Sequence, residues 1–526
     1  MKKLIGIALL GLTVGLGAQS PGSVIFTNDS NVPPQKTPEY FLGAGTEFIY
    51  SINRAKSGNN SQERVQVLKD LKLQSLRGPA GTIANWYLWK KGYMFTPEEP
   101  DYHKYYDKEY NKGKGQGPRP VMLAELYEEA GKLNIPYVFN VNVETQSPED
   151  IAEMVKEIKK LSSKPVFLEM GNELFEPGDR KAFPTCREYI AKVRAIGKAV
   201  KAVDPTVQIA VVCPSYPFSE DKMLNSALRK LANTGNKPID HYLEWDDILA
   251  ANQDAFDAVI LHPYIFFRVE NATPESVMAF MAAWNAAGEE VLRSYYSKMF
   301  PSKKIWMTEF NVLCWRVFGE KNPELQNRLQ LMKSTGAAVA NMESLLRFIS
   351  AGNVSMTHLH TFADGQGFGI VQAGPKGLVK LPNYYIYEAM GKLLAENQYY
   401  YRMNAPDSMS SDFLLSYTHV LQGPEEGLVR YQNVGAWGFG TEKVLRQVVF
   451  QNRTPYEQKV GFRSSKLQKI WSYGGRNPFP NFLRNTLHWT HPPLTENIPV
   501  PDRENGPAAT ELILPPYSMT IANVIN

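Results

Sequence analysis

Two glutamates in this chain stand where a carboxylate is expensive unless chemistry or a partner uses it. Lys-Pro-Val-Phe-Leu-Glu-Met-Gly-Asn-Glu closes at Glu173, and Lys-Lys-Ile-Trp-Met-Thr-Glu-Phe carries Glu309. Each reads as a buried strand, an apolar run entered through Lys or Pro and left into a loop. A charge at the exit of such a strand costs free energy unless it is paired or put to use. Two such carboxylates, on strands far apart in sequence, are what cleavage of a glycosidic bond requires. One protonates the leaving oxygen, and the other attacks or stabilises the anomeric carbon.

The elements that must hold them alternate between short apolar runs and longer helical ones. Candidate strands are Phe41–Thr46, Leu73–Arg77, Tyr137–Asn142, Val166–Met170, Gln208–Cys213, Ala258–His262, Ile305–Glu309 and Ser355–His360. Helical stretches lie between them: Pro120–Leu133, Pro148–Leu161, Arg187–Val203, Pro274–Met299, Pro323–Ser350 and Pro382–Glu396. Ser-Pro-Glu-Asp at the head of the second is a helix N-terminal pattern. Eight strands with helices between them predict a (β/α)8 TIM barrel over residues 41–396, in the α/β class. Long insertions, Gly78–Gly117 and Pro214–Leu249, follow the second and fifth strands, on the face that builds active sites in such barrels.

After Glu396 the helical period stops. Short β-like runs at Phe413–Tyr417, Leu428–Asn433, Leu445–Asn452, Lys459–Phe462, Gln468–Ser472, Thr510–Leu514 and Met519–Val524 predict a C-terminal antiparallel β-sandwich domain over 397–526. Its inner face is expected to include Leu414, Val448, Phe450 and Ile513. The segment 19–40 contains a β-like run, Gly22–Thr27, able to add a strand to the same sandwich.

Other strand ends carry polar groups. Strand two presents Arg77, able to pair with a catalytic carboxylate or to brace the barrel. Strand three presents Asn140 and Asn142, one of them toward a sugar. Strand six ends in His262 and Tyr264, and strand eight in His358 and His360, with His360 the pocket-lining candidate. For His262 a satisfied core histidine is an equal alternative.

These segments together resemble the retaining glycoside hydrolases of clan A. Met-Gly-Asn-Glu is similar to the Asn-Glu end of that clan's fourth strand. Trp-Met-Thr-Glu-Phe is similar to the seventh strand, and Leu-His-Pro-Tyr to the sixth. In layout the chain is closest to the group of families 51, 79 and 39. Arg77-Gly78-Pro79-Ala80-Gly81 is similar to their Arg-x-Pro-Gly-Gly segment, with Ala80 departing from it. Lys380–Leu393 and Leu514–Ile521 look like the last barrel helix and last sandwich strand. The resemblance implies Glu173 as acid/base, Glu309 as nucleophile and Asn172 as a partner of the sugar 2-hydroxyl. It also implies that Tyr264 contacts the nucleophile. Arg77, Asn142, His262 and His360 complete the expected substrate-binding set. The charge of Glu309 is expected to hold the proton on Glu173 until a glycosyl-enzyme forms. Neither metal nor organic cofactor is called for.

Met-Lys-Lys followed by an apolar run to Gly17 and Ala18 reads as a signal peptide over residues 1–18, too short to anchor in a bilayer. A secreted or periplasmic location follows, with no membrane association after its removal. Cys186, Cys213 and Cys314 form no CxxC pair, which argues against a disulfide framework or a zinc site. The net charge of +4 is spread without a basic block, which argues against nucleic acid. Aromatics make up 12%, and most serve a core of this size. The expected partner is a carbohydrate. The alternatives are a non-catalytic glycan-binding protein on the same fold and a retaining transglycosylase.

Overall fold

The computed structural model describes residues 23–46, 62–92, 121–176, 182–214, 237–267, 273–314, 331–363, 369–374, 377–405, 410–416, 426–463, 465–479 and 499–525. The expected signal peptide and most of the two long insertions lie outside the described residues.

Eight parallel strands close a barrel in chain order. They are Leu42–Gly45, Ser75–Gly78, Tyr137–Asn140, Phe167–Met170, Gln208–Val212, Ala258–Leu261, Lys304–Phe310 and Val354–Leu359. Each overlaps the run expected for it. They are nearly continuous in burial, as strands covered on both faces must be. Helices ring them. Pro148–Leu161 starts on Ser147, whose hydroxyl accepts from the Asp150 N–H at 3.1 Å. It turns Ile151, Met154, Val155 and Ile158 toward the core.

Three elements differ from expectation. Within the second insertion lies a helix, Lys237–Ala250, which buries Trp245 and Asp246. The long helix after strand six runs from Pro274 to Val291, then widens to a π-turn at Leu292–Tyr296 before Ser297–Met299. A helix Gln62–Asp70 precedes strand two. Of the expected Pro323–Ser350 helix, Thr335–Ala351 is described, capped by the Ser334 hydroxyl; residues 323–330 lie outside the described ones.

Among the described residues two larger β-sheets stand beside the barrel, while Ser410–Ser416 and Glu426–Gln432, expected in the sandwich, pair with each other in a separate two-stranded sheet. One of the larger sheets has six strands in the order Gln35–Lys36, Tyr399–Tyr401, Val434–Gly440, Leu445–Asn452, Ser518–Ile525 and Lys466–Gly474. The other has four: Met403–Asn404, Val24–Asn28, Gln458–Phe462 and Glu511–Leu514. Pairing is antiparallel except between Val24–Asn28 and Gln458–Phe462. Between the sheets pack Val24, Phe26, Val448, Phe450, Val460 and Leu514. Ile513 does not join them: it is 58% exposed. The run Leu512-Ile513-Leu514 is apolar on both faces, and the pairing with Gln458–Phe462 turns Leu514 inward instead. The Leu414 side chain lies outside the described ones. Val449, Trp471, Tyr473 and Met519 join the barrel's own core. The same interface holds an ion pair, Arg453 to Glu343 at 2.8 Å, with both side chains 1% exposed.

Candidate active site

The fourth strand ends in a backbone turn that few residues tolerate. Gly171 has φ +82°, and a Cβ there would meet Leu174 Cδ1 at 2.4 Å, so only glycine fits. Glu173 itself has φ +49°, which costs a side-chain-bearing residue about 1 kcal/mol. Between them the peptide groups of Asn172 are clamped by buried Asn85. Asn85 Oδ1 accepts from the Asn172 N–H at 2.7 Å, and Asn85 Nδ2 donates to the Asn172 carbonyl at 2.9 Å. The turn sends the Glu173 side chain over the barrel mouth, where it is 30% exposed.

Beneath it, Arg77 from strand two is 1% exposed and spans three strands. Its Nε and Nη2 donate to Glu169 Oε2 and Oε1 at 2.9 and 2.7 Å. Nη1 donates to Glu309 Oε1 at 2.6 Å, and Nη2 also reaches Asn172 Oδ1 at 2.7 Å. A buried guanidinium is tolerated because its fork is filled by carboxylates and an amide. Tyr264, from the loop after strand six, donates to the other oxygen of Glu309 at 2.6 Å. Both oxygens of Glu309 are therefore held.

His262 stands between the two glutamates. Its Nδ1 is 2.8 Å from Glu173 Oε1, and its Nε2 is 2.9 Å from the Thr308 hydroxyl. Burial opposes charge on the ring, but Glu309, Glu169 and Glu173 outweigh it and push His262 up to about 10. Burial likewise opposes charge on Glu309. The positive charges of His262, Arg77 and His360, with the Tyr264 hydrogen bond, overcome it and hold this carboxyl below the ordinary range. Glu169 is held low by Arg77 and His262 against its own burial.

The structure thus gathers Glu173, Glu309, Arg77, Asn172, His262 and Tyr264 into one cluster. His360 borders it, with Nδ1 3.8 Å from Glu309 Oε2 and its ring edge-on to Tyr264. Asn142 serves its own loop. It hydrogen-bonds Thr145 through both ends of its amide and the Tyr87 carbonyl at 3.5 Å. Asn140 Nδ2 instead faces the carbonyls of Ala80 and Gly81 at 3.3 and 3.4 Å, beside the carboxylates. His358 is fully buried below the site, 3.0 Å from the Ser75 hydroxyl. Burial and Arg77 push it down to about 3, so its ring is neutral.

Sequence reading missed Glu169, Thr308, Asn85 and Gly81 as site residues. Glu169 carried a signal, a carboxylate in the middle of a buried apolar strand, which demands a cationic partner. Gly81 is required by proximity: a Cβ there would lie 2.8 Å from Glu309 Oε1. Thr308 and Asn85 carried none, because their partners are set by the fold.

Glu173, His262 and Glu309 each offer one ligand atom, all within 4.8 Å of one another. Three donors are a minimal cation set. The set fits a divalent ion poorly, because the Arg77 guanidinium already sits 2.6 Å from Glu309 and the ring nitrogen facing the centre is protonated.

No protein-family model matches the chain, and no curated protein matches it in sequence. Solved structures do match. The α-L-arabinofuranosidase of Thermotoga maritima superposes with a TM-score of 0.66 at 15% identity, covering 96% of this chain and all of that one. The family 51 arabinofuranosidase of Xanthomonas axonopodis pv. citri gives 0.61 at 14% identity, over 95% and 100% of the two chains. A family 44 xyloglucanase of Paenibacillus polymyxa gives 0.52 at 11%, over 96% and 100%. The chain shares the fold of these enzymes, barrel and sandwich together.

Proposed function

We propose that this protein is a secreted glycoside hydrolase that cleaves a poly- or oligosaccharide by a retaining double displacement. The observation that carries the reading is the approach of Glu173 and Glu309, one oxygen of each within 4.8 Å of the other across the barrel mouth. Retaining enzymes keep their carboxyl groups about 5–5.5 Å apart, and inverting enzymes about 6.5–9.5 Å, to admit a water. The electrostatics agree. Glu309 is buried, doubly hydrogen-bonded and held ionised, as a nucleophile must be. Glu173 is the more exposed of the two and reaches the solvent side, where a leaving oxygen departs.

In the first step Glu309 bonds the anomeric carbon as Glu173 gives its proton to the leaving oxygen. In the second, Glu173 takes a proton from water as that water attacks the same carbon and frees Glu309. Arg77 and Tyr264 donate to Glu309 while its negative charge passes into the new bond, and again stabilise that charge when the second step breaks it. Among the described residues Asn172 Nδ2 donates once, to Thr82, while its Oδ1 receives Arg77, which leaves one amide hydrogen for a sugar hydroxyl. Secretion is supported by the charged, then apolar, start of the chain. Among the described residues no helix is long and apolar enough to cross a membrane.

The test is a panel of aryl glycosides and plant polysaccharides, arabinofuranosides first, followed by NMR of the anomer released at early times. Turnover with a retained first product is expected. An inverted product would reject the double displacement, and a panel without turnover but with glycan binding would favour a non-catalytic lectin. Glycosyl transfer to added sugar acceptors in preference to water would make it a transglycosylase.

A further inference from the structure

A line of four side chains ends on Glu173: Glu169, Thr308, His262 and Glu173. Glu169 is fully buried and ionised, and both its oxygens receive Arg77. An ionised carboxylate only accepts hydrogen bonds. The single hydrogen of the Thr308 hydroxyl therefore goes to Glu169 Oε1, 3.1 Å away. Its oxygen is left to accept, and the atom before it is His262 Nε2 at 2.9 Å. Nε2 must carry hydrogen in either charge state of the ring. The nitrogen free to gain and lose a proton is Nδ1, which faces Glu173 Oε1 at 2.8 Å.

We propose that Thr308 is a positioning residue that locks His262 with hydrogen on Nε2, so that Nδ1 exchanges the catalytic proton with Glu173. The step is a bare proton transfer. The proton leaves Nδ1 and bonds to Glu173 Oε1, the ring becomes neutral, and the carboxylate becomes the acid. The return transfer restores the imidazolium. This role deepens the glycosidase reading and rests on it for the destination of the proton.

Among the described residues, the groups facing His262 come from strands two, four, six, seven and eight. Strand four brings Glu169 and Glu173, and strand seven brings Thr308 with Glu309, whose Oε2 is 4.0 Å from Nδ1. Arg77 stands behind Glu169. His360 and Tyr264 lie on the far side of Glu309. The carboxylates keep the ring protonated to about pH 10, so the shared proton is present throughout the neutral range. Without the Thr308 hydroxyl the buried Nε2–H loses its near acceptor and is left with Glu169 Oε1 at 3.7 Å, and the charged ring loses part of its support.

The experiment is NMR of the histidine-labelled full chain, with kinetics, on the wild type, Thr308→Val and Thr308→Ser. Val keeps the shape and removes the hydroxyl, and Ser returns it. In Thr308→Val the His262 titration midpoint should fall by at least about one pH unit. The basic limb of kcat/KM should move down with it. Turnover of glycosides with poor leaving groups should drop about tenfold or more, with dinitrophenyl glycosides far less affected. Thr308→Ser should restore all three. A merely structural role would lower Tm and slow every substrate alike. An unmoved His262 midpoint in Thr308→Val, or a folded Thr308→Ser that fails to restore it, overturns the proposal. If Thr308→Val does not fold, Thr308→Ala carries the same comparison. If no glycoside is hydrolysed by the wild type but the midpoint still moves, the glycosidase reading fails while the lock on His262 stands.

Discussion

Tyr264 and Glu309 are joined by a 2.6 Å hydrogen bond in which the phenol donates to Oε2, while the opposite oxygen is held by Arg77. The phenol comes from the loop after strand six and the carboxylate from strand seven, so a single barrel register fixes both. Burial raises the Tyr264 pKa well above the phenol range, which keeps it a donor at every working pH.

Tyr264→Phe should therefore slow turnover by about 10- to 100-fold with little loss of stability. The sign of its pH effect follows from Glu309, whose carboxyl is held below its ordinary range. Losing a donor to the ionised form raises that pKa. The acid limb of the rate profile should shift to higher pH, while the basic limb stays in place.

Gly81 lies against the nucleophile. Gly81→Ala would put a methyl 2.8 Å from Glu309 Oε1, close enough to displace the carboxylate but not the barrel. The expected outcome is a fall in kcat of about 100-fold with Tm nearly unchanged. Kinetics and a thermal melt on the same sample check it.

Asp246 is a buried acid with no cation beside it among the described residues. The Cys213 thiol and the Tyr295 hydroxyl donate to its two oxygens, and burial, outweighing them, pushes it up to about 7. A folded-state pKa raised above the unfolded value means that its stabilisation is complete below about pH 4 and is lost as pH rises through about 7. The full loss is on the order of 4 kcal/mol. Asp246→Asn should flatten that part of the curve of Tm against pH. The variant should gain on the wild type as pH climbs from 4 to 8. A wild-type-like slope in the variant would assign the pH dependence to other groups.

Arg453 neutralises Glu343 where the sandwich meets the barrel, and Gln451 and Arg347 donate to the same carboxylate. Arg453→Ala removes one of the two counter-charges, leaving Arg347, and the buried glutamate is short of one partner. A loss of about 3–5 kcal/mol in denaturant unfolding is expected. The double variant Arg453→Met, Glu343→Leu should recover most of it.

The barrel was legible because its strands are continuous apolar runs whose polar residues gather at the C-terminal ends. That pattern alone puts Glu173, Glu309, Arg77, His262 and Tyr264 on one face. What stayed hidden has physical causes. Val434–Gly440 carries three glycines that weaken any strand pattern, and at Gly440 the packing requires one, since a Cβ would lie 2.0 Å from the Val444 carbonyl. The Lys237–Ala250 helix falls within a long polar insertion. Ile513 and Leu514 are equally apolar, and only pairing decides which turns inward. Asn140 ends the third strand and Asn142 lies two residues beyond it; at that spacing a strand would put both on one face, so sequence does not say which one ends beside the carboxylates. Asn85 and Thr308 act through partners distant in sequence, 87 residues away for Asn85 and 46 for Thr308.

The central claim is that Glu309 forms the covalent glycosyl-enzyme and Glu173 handles the proton. The most direct measurement is intact-protein and peptide mass spectrometry of Glu173→Ala mixed with a dinitrophenyl glycoside of a sugar the wild type accepts. Such a leaving group departs without an acid, and the second step lacks its base, so a glycosyl adduct should accumulate on the peptide containing Glu309. Added azide, which needs no base, should discharge it as a glycosyl azide of retained configuration. Glu309→Ala should show neither adduct nor turnover. An adduct mapped to another residue, or azide rescue of Glu309→Ala with retained product, would contradict the assignment, because azide standing in for a lost nucleophile displaces the leaving group once and inverts.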